Sequence, residues 1–335
     1  MKRCMIFGVV FLLLGSALFA EHARVMPARV GRFYVVPTFI SFDQRFTEGG
    51  SRTAVGETTP YVPPTRMFNM GFALEYGINS WITGAVQWTP GINLWSDVDR
   101  VAAPMAVNPS GSGVVSGMGD IFLGAKVQII GPQAPVASDT FRLAFGPGLK
   151  IPLSSPDFTD ELARGTPNVA RLDNHVLGLG LRSYFDVVVN EFFYINFYNE
   201  FIFYPTRGSF GDLGLGQAAM VAAGVPNVNV NFGYDLTFEI EPTFTHRFTA
   251  SNIALEIGLP FTYYFSPGYT VSGNHLLHTD EGSVHRFSVG PNVSVFFLDW
   301  ALPMEFLLGY QIPVMGRNTP VRHVASLQIR AYFRL

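Results

Sequence analysis

The ionisable side chains of this chain recur at alternate positions inside apolar runs. In Phe232–His246, Gly233, Asp235, Thr237, Glu239 and Glu241 alternate with Phe232, Tyr234, Leu236, Phe238 and Ile240. Asp120, Lys126 and Gln128 oppose Ile121, Leu123, Ala125, Val127 and Ile129. Arg142 and Lys150 oppose Phe141, Leu143, Phe145, Leu149 and Ile151, and Glu256 and Thr262 oppose Ile253, Leu255, Ile257, Leu259, Phe261, Tyr263 and Phe265. Charged groups gathered on one face can order water, pair with one another or select solutes by sign. Bond-making chemistry has less support. No G-x-S-x-G elbow occurs. His323 and His246 lie on the apolar parity of their segments, with no serine clearly placed on a neighbouring one. His275, His278, Asp280 and Glu281 form the nearest approach to a metal set, but His-x-x-His within a long loop reads as solvated surface. Neither a metal nor a cofactor is expected.

The elements that must carry these residues are strands, because successive side chains of a strand point to opposite faces. The pattern recurs about a dozen times, with segments of about ten residues. Connections alternate in length. Short ones are Ile78–Ser80, Gly131–Ser138, Val189–Glu191, Thr249–Asn252 and Asp299–Ala301. Long ones are Thr47–Arg66, Ile92–Val115, Ser154–Asn174, Thr206–Asn231, Ser266–Gly282 and Gly316–Pro320. The expected fold is all-β: a transmembrane antiparallel β-barrel of about 12 strands, with short periplasmic turns and long extracellular loops. Trp81 and Trp300 sit beside short turns and Trp88 and Trp95 towards a long loop, as two interfacial girdles would place them. Glu191–Tyr204 and Tyr34–Phe46 are ambiguous in parity. Pro37, Pro147, Pro260, Pro291 and Pro303 fall inside expected strands, where each removes a ladder donor; they mark bulges, kinks or openings in the wall.

Composition agrees. The chain is 14% charged and 14% aromatic, with mean hydropathy +0.24. After the first twenty residues no unbroken apolar run of roughly 18 occurs, which excludes helical membrane spans. A net charge of −3 makes no case for nucleic acid as a partner. Lys2, Arg3 and the apolar Met5–Leu14 read as a secretory signal spanning 1–20, cleaved after Ala17 or Ala20, leaving 21–335 as the barrel. Cys4, the only cysteine, is removed with it, so the mature chain has no thiol and no disulfide.

If the apolar parity faces lipid, the polar parity lines a lumen. Lys126, Arg142, Lys150 and Arg182 then come from the fourth to sixth strands, and Glu200, Asp235, Glu239, Glu241 and Glu256 from the seventh to ninth. Arg286 and Glu305 join this lining set further along. A basic sector beside an acidic one sets up a field across the bore and favours passage of small polar solutes. Alternatively, interior ion pairs knit the barrel shut. Gly71, Gly124, Gly146, Gly148, Gly178, Gly180, Gly258 and Gly290 fall on inward positions, where they widen the bore or permit tight coiling. The loop Asp212–Pro226 is nearly uncharged; it either folds inward as an apolar gate or packs on its neighbours. A third reading is a structural or adhesive barrel that acts through its extracellular loops. Expected partners are outer-membrane lipids and small solutes.

Two resemblances add to this. The final segment Val321–Leu335 places Leu327, Ile329, Ala331, Phe333 and Leu335 on one face, and Arg322, Ser326, Gln328, Arg330 and Arg334 on the other. It resembles the terminal signal read by the outer-membrane assembly machinery, although that signal usually ends in Phe. Gly119-Asp120-Ile121-Phe122-Leu123-Gly124-Ala125-Lys126, with Gly146-Pro147-Gly148-Leu149-Lys150-Ile151-Pro152, resembles the outer-membrane family of phenol-degradation (MetA-pathway) proteins. That family pairs G-D-x-x-L-G-x-K with G-x-K-x-P and is distantly similar to FadL-type fatty-acid channels. The resemblance implies an outer-membrane barrel passing aromatic or acyl compounds. Only Glu21–Val30 precede the first strand, where FadL-type channels have a longer hatch with an Asn-Pro-Ala motif; Asn108-Pro109 lies in a loop and does not match it.

Overall fold

The computed structural model describes residues 23–54, 66–96, 118–153, 176–210, 221, 223–271 and 282–335. The segment 1–20 expected as a signal, the His275–Glu281 group and most of the Asp212–Pro226 loop lie outside the described residues.

Twelve wall strands form one antiparallel sheet closed on itself, because the first pairs with the last. They are β1 (Val30–Ser41), β2 (Arg66–Gly77), β3 (Ile82–Ser96), β4 (Ile121–Gly131), β5 (Phe141–Ile151), β6 (Gly178–Val188), β7 (Phe193–Phe203) and β8 (Tyr234–Phe248). β9 is split into Ile253–Gly258 and Phe261–Ser266, and β10 into Val284–Val289 and Asn292–Phe297; β11 (Met304–Arg317) and β12 (His323–Arg334) complete the wall. Neighbours in sequence are neighbours in space. Closure leaves no unpaired edge, the condition for strands in a bilayer. No described helix is long and apolar enough to cross a membrane.

Parity governs burial. Phe33, Phe39, Leu74, Leu123, Leu149, Leu181, Phe201, Phe244, Ile257 and Leu308 are exposed on the outer wall. Arg32, Glu75, Gln128, Arg142, Asp186, Asn196, Glu241, Glu256, Glu305 and Arg330 are buried on the inner face. The distribution is inverted relative to a soluble domain and matches a wall whose outer solvent is hydrocarbon. The ambiguous seventh segment resolves the same way: Phe201 and Phe203 are exposed, while Tyr194, Asn196, Ile202 and Tyr204 are buried.

The prolines divide into classes. Pro37 and Pro147 lie within continuous strands, in register with Met70 and Leu181. Pro260 and Pro291 interrupt β9 and β10 at adjacent points, and Pro303 precedes β11 rather than lying in it. Their carbonyls still stitch the wall: Gly290 N donates to Pro260 O (2.9 Å), Tyr310 N to Pro291 O (3.1 Å) and Tyr332 N to Pro303 O (3.0 Å). What proline deletes is its own donor, so the wall kinks but stays bonded. Two expected loop boundaries shift. β3 runs through Ile92 to Ser96, and the last long connection shrinks to a rim bridge in which Thr319–Pro320 pairs with Gln44–Phe46.

Candidate functional site

The lumen is built from the inward parity of all twelve strands, and its floor is closed from the periplasmic end. Ala23 is fully buried; its N donates to Asp186 Oδ1 (3.1 Å) and its O accepts from Gln128 Nε2 (2.9 Å). Met26 N donates to Thr83 Oγ1 (2.7 Å), and Met26 packs with Val30, Ala254, Phe296, Leu298 and Tyr332. The short segment before β1 therefore turns into the barrel and fills its lower end. Around it the buried charges are paired. Arg142 faces Asp186 (3.6 Å), Arg32 faces Glu75, and Arg330 Nη1 meets Glu305 Oε1 (2.8 Å). Ser294 Oγ (2.7 Å) and Tyr332 Oη also donate to Glu305. A buried ion is costly unless a counter-charge and donors satisfy it, and each of these three arginines has its acid on the adjacent strand.

The middle of the lumen contains a hollow and a chord. Gly124, Gly148 and Gly180 are inward positions on β4, β5 and β6, and the Phe122 ring lies in the space they leave. A Cβ added at Gly148 would stand 2.3 Å from Phe122 Cζ, and one at Gly180 2.6 Å from Phe122 Cε2. Over the ring lies the Arg182 guanidinium, 3.6 Å from its centroid. Arg182 donates to Glu200 and also to Gln87 Oε1 on β3, three strands away. Gln87 Nε2 donates onward to Glu75 Oε1 (3.2 Å), and Glu75 accepts from Arg32. A continuous line of charge-assisted bonds thus runs from β7 to β1 through the interior. The glycines do not widen the bore; they make room for an aromatic ring over which this line passes.

Beside the chord, on the β8–β12 side, is a cavity of about 230 Å³. Its acidic wall is Glu239, Glu241 and Glu256, and Arg330 stands among its other lining residues. Thr262 Oγ1 donates to Glu239 (2.7 Å) and Asn292 Nδ2 to Glu241 (2.8 Å). Above it, Asp235 accepts from Tyr204 (2.6 Å) and Tyr264 (2.9 Å), and Lys150 pairs with Asp120 (2.9 Å). Lys126 lies over the Tyr184 ring at 4.0 Å, and Arg286 over Tyr264 at 5.0 Å. Of the residues expected to line the interior, Arg142, Glu241, Glu256 and Glu305 are buried, and Lys126, Lys150, Arg182, Glu200, Asp235, Glu239 and Arg286 are half-buried. The basic sector beside an acidic one is not free of the opposite sign. Asp186 and Glu75, absent from the expected set, and Asp120, on the polar parity of its segment, interleave with the cations, because each bonds a cation of the neighbouring strand.

Three further features complete the interior and the wall. Phe122, Val176, Ile202 and Tyr204, with Phe232, form an inward apolar cluster on the outer half. Phe210 and Val230 pack with Val221 and Val225, so the described end of the apolar loop rests on its neighbours. On the outer wall the histidine with a serine beside it is His285, not His323 or His246. Ser283 Oγ lies 2.9 Å from His285 Nε2, and Tyr263 Oη 2.7 Å from Nδ1. The third group is a phenol, where a Ser-His-Asp arrangement has a carboxylate.

Among solved structures, the COG4313 outer membrane channel from Pseudomonas putida F1 superposes with a TM-score of 0.61 at 11% identity, covering 94% of this chain and 100% of that one. The fold is that of an outer-membrane barrel. A Pseudomonas aeruginosa FadL homologue aligns over 92% of this chain and 90% of its own, at 10% identity and a TM-score of 0.33. No family model and no curated protein sequence matches the barrel.

Proposed function

We propose that the protein is a bacterial outer-membrane channel for passive uptake of small solutes, delivered by a cleaved signal and inserted by the assembly machinery through its terminal strand. The observation that carries this reading is the inverted wall: a polar, charge-bearing interior inside a closed barrel with an apolar exterior. An interior that served only stability would be satisfied by packing. Here an acid-lined cavity persists beside the chord. The N-terminal segment, with its few bonds to Asp186, Gln128 and Thr83, is the element that must yield for passage.

The inward apolar cluster around Phe122 and Tyr204 supports a second reading, in which the cargo is a hydrophobic or aromatic solute. Vesicle-swelling rates separate the two. Small sugars or amino acids entering vesicles that contain the refolded barrel support the first. Swelling indistinguishable from empty vesicles, with retained uptake of an aromatic or fatty acid, moves the assignment to the second. Failure of both removes the channel reading.

A further inference from the structure

Most cations of the lumen are matched to acids, and two are not. On the outer half, Lys150 has Asp120. In the middle, Arg182 has Glu200, and below it Arg142, Arg32 and Arg330 each have a carboxylate. Arg286, on β10, and Arg322, at the entry to β12, have none among the described residues. Arg286 rests on the Tyr264 ring, whose hydroxyl is committed to Asp235. Arg322 Nε is buried without a hydrogen-bond partner. Burial, then the charge of Arg286, push the Arg322 guanidinium below its usual range. Two guanidiniums within each other's field, neither neutralised, are an unfavourable arrangement for a resting wall. They become favourable when an anion sits between them, because each presents a planar fork of donors matched to two oxygens of one group.

We propose that Arg286 and Arg322 form an oxyanion-binding pair at the outer mouth of the lumen, taking the carboxylate or phosphate of an incoming solute. Tyr264 holds the Arg286 side of the pair. The site lies above the acid-lined cavity, so an arriving anion meets attraction first and repulsion further in. This deepens the channel reading and rests on it for its physiological meaning, though binding itself does not need conduction.

The experiment is equilibrium dialysis of radiolabelled benzoate and, separately, inorganic phosphate against the refolded full-length mature barrel in detergent, with Arg286→Gln, Arg322→Gln and the double variant. Folding is verified for each by its heat-dependent mobility on electrophoresis. The expected result is saturable binding of at least one of the two anions, about tenfold weaker in each single variant, as loss of a charged hydrogen bond implies, and abolished in the double. Benzoate binding with phosphate excluded assigns carboxylates; the reverse assigns phosphates. Arg286→Lys/Arg322→Lys should retain part of the affinity. No saturable binding of either anion to the wild-type barrel, or equal binding by the folded double variant, overturns the proposal. Should the double variant be unstable, the lysine pair still decides: undiminished affinity removes the bidentate role and overturns it. In parallel bilayer recordings, binding without conduction overturns the channel reading alone, and conduction without binding overturns this site alone.

Discussion

Gly180→Ala tests whether the inward glycines exist to seat Phe122. The new Cβ would lie 2.6 Å from Phe122 Cε2 and 3.0 Å from Ile202 Cδ1. Carbon atoms pack at roughly 3.5–4.0 Å, so the ring must retreat by about 1 Å. Its retreat is blocked by Arg182, which lies 3.6 Å from the ring centroid and is bonded to both Glu200 and Gln87. Overpacking of this kind costs about 1–3 kcal/mol. Replacing a strand glycine returns about 0.5–1 kcal/mol of chain entropy, so the net loss is about 1–2 kcal/mol. In a Phe122→Leu background the ring is absent, and the same alanine should be neutral or mildly stabilising. The double-mutant cycle therefore predicts a coupling of about 1.5 kcal/mol. Reversible guanidinium unfolding from lipid vesicles, followed by the fluorescence of the four tryptophans, measures it. An equal cost of Gly180→Ala in both backgrounds would refute the reasoning, because it would mean that the alanine strains something other than the ring.

Glu305→Gln leaves Arg330 charged where both side chains are almost inaccessible (1% and 2%); it should cost about 3–5 kcal/mol in the same unfolding assay, and Glu305→Gln/Arg330→Met should recover part of that. Removing residues 23–29 from the mature chain frees the lower lumen, and single-channel conductance should rise; an unchanged conductance means the segment is not the constriction. Replacing Glu239, Glu241 and Glu256 by Gln should move the reversal potential in a KCl gradient towards anions, and no shift in a conducting barrel removes this cavity from the path.

Strand number, order and parity were legible because the bilayer imposes a two-residue period that the order of residue types displays, as in Tyr234–Phe248. The seventh segment was not legible. Tyr194, Tyr198 and Tyr204 are aromatic yet face inward, since a phenol supplies hydroxyl donors that lumen acids accept, as Glu200 and Asp235 do. Period counting treats such a ring as apolar. Inward direction was predictable for Arg182 and Gln87 from parity, but their bond was not, because it passes over β4 and β5 and depends on the glycine hollow between. An aromatic on polar parity flanked by glycines of the same parity on neighbouring strands is the signal that could have revealed Phe122. The prolines were seen, but whether each bends or splits a strand depends on its position in the ladder: Pro147 is tolerated in β5, whereas Pro260 and Pro291 fall side by side and break two strands together.

The central claim is that one parity of each wall strand meets acyl chains while the other meets a polar interior. Single cysteines placed in turn from Tyr234 to His246, in a chain whose only cysteine is removed by Cys4→Ser, and spin-labelled in vesicles, measure this directly. Labels at Leu236, Phe238, Ile240 and Phe244 should relax with oxygen, and those at Thr237, Glu239 and Glu241 with a water-soluble nickel chelate or not at all. Collision with oxygen that shows no period of two along the strand, or that peaks at the glutamates, would contradict the account.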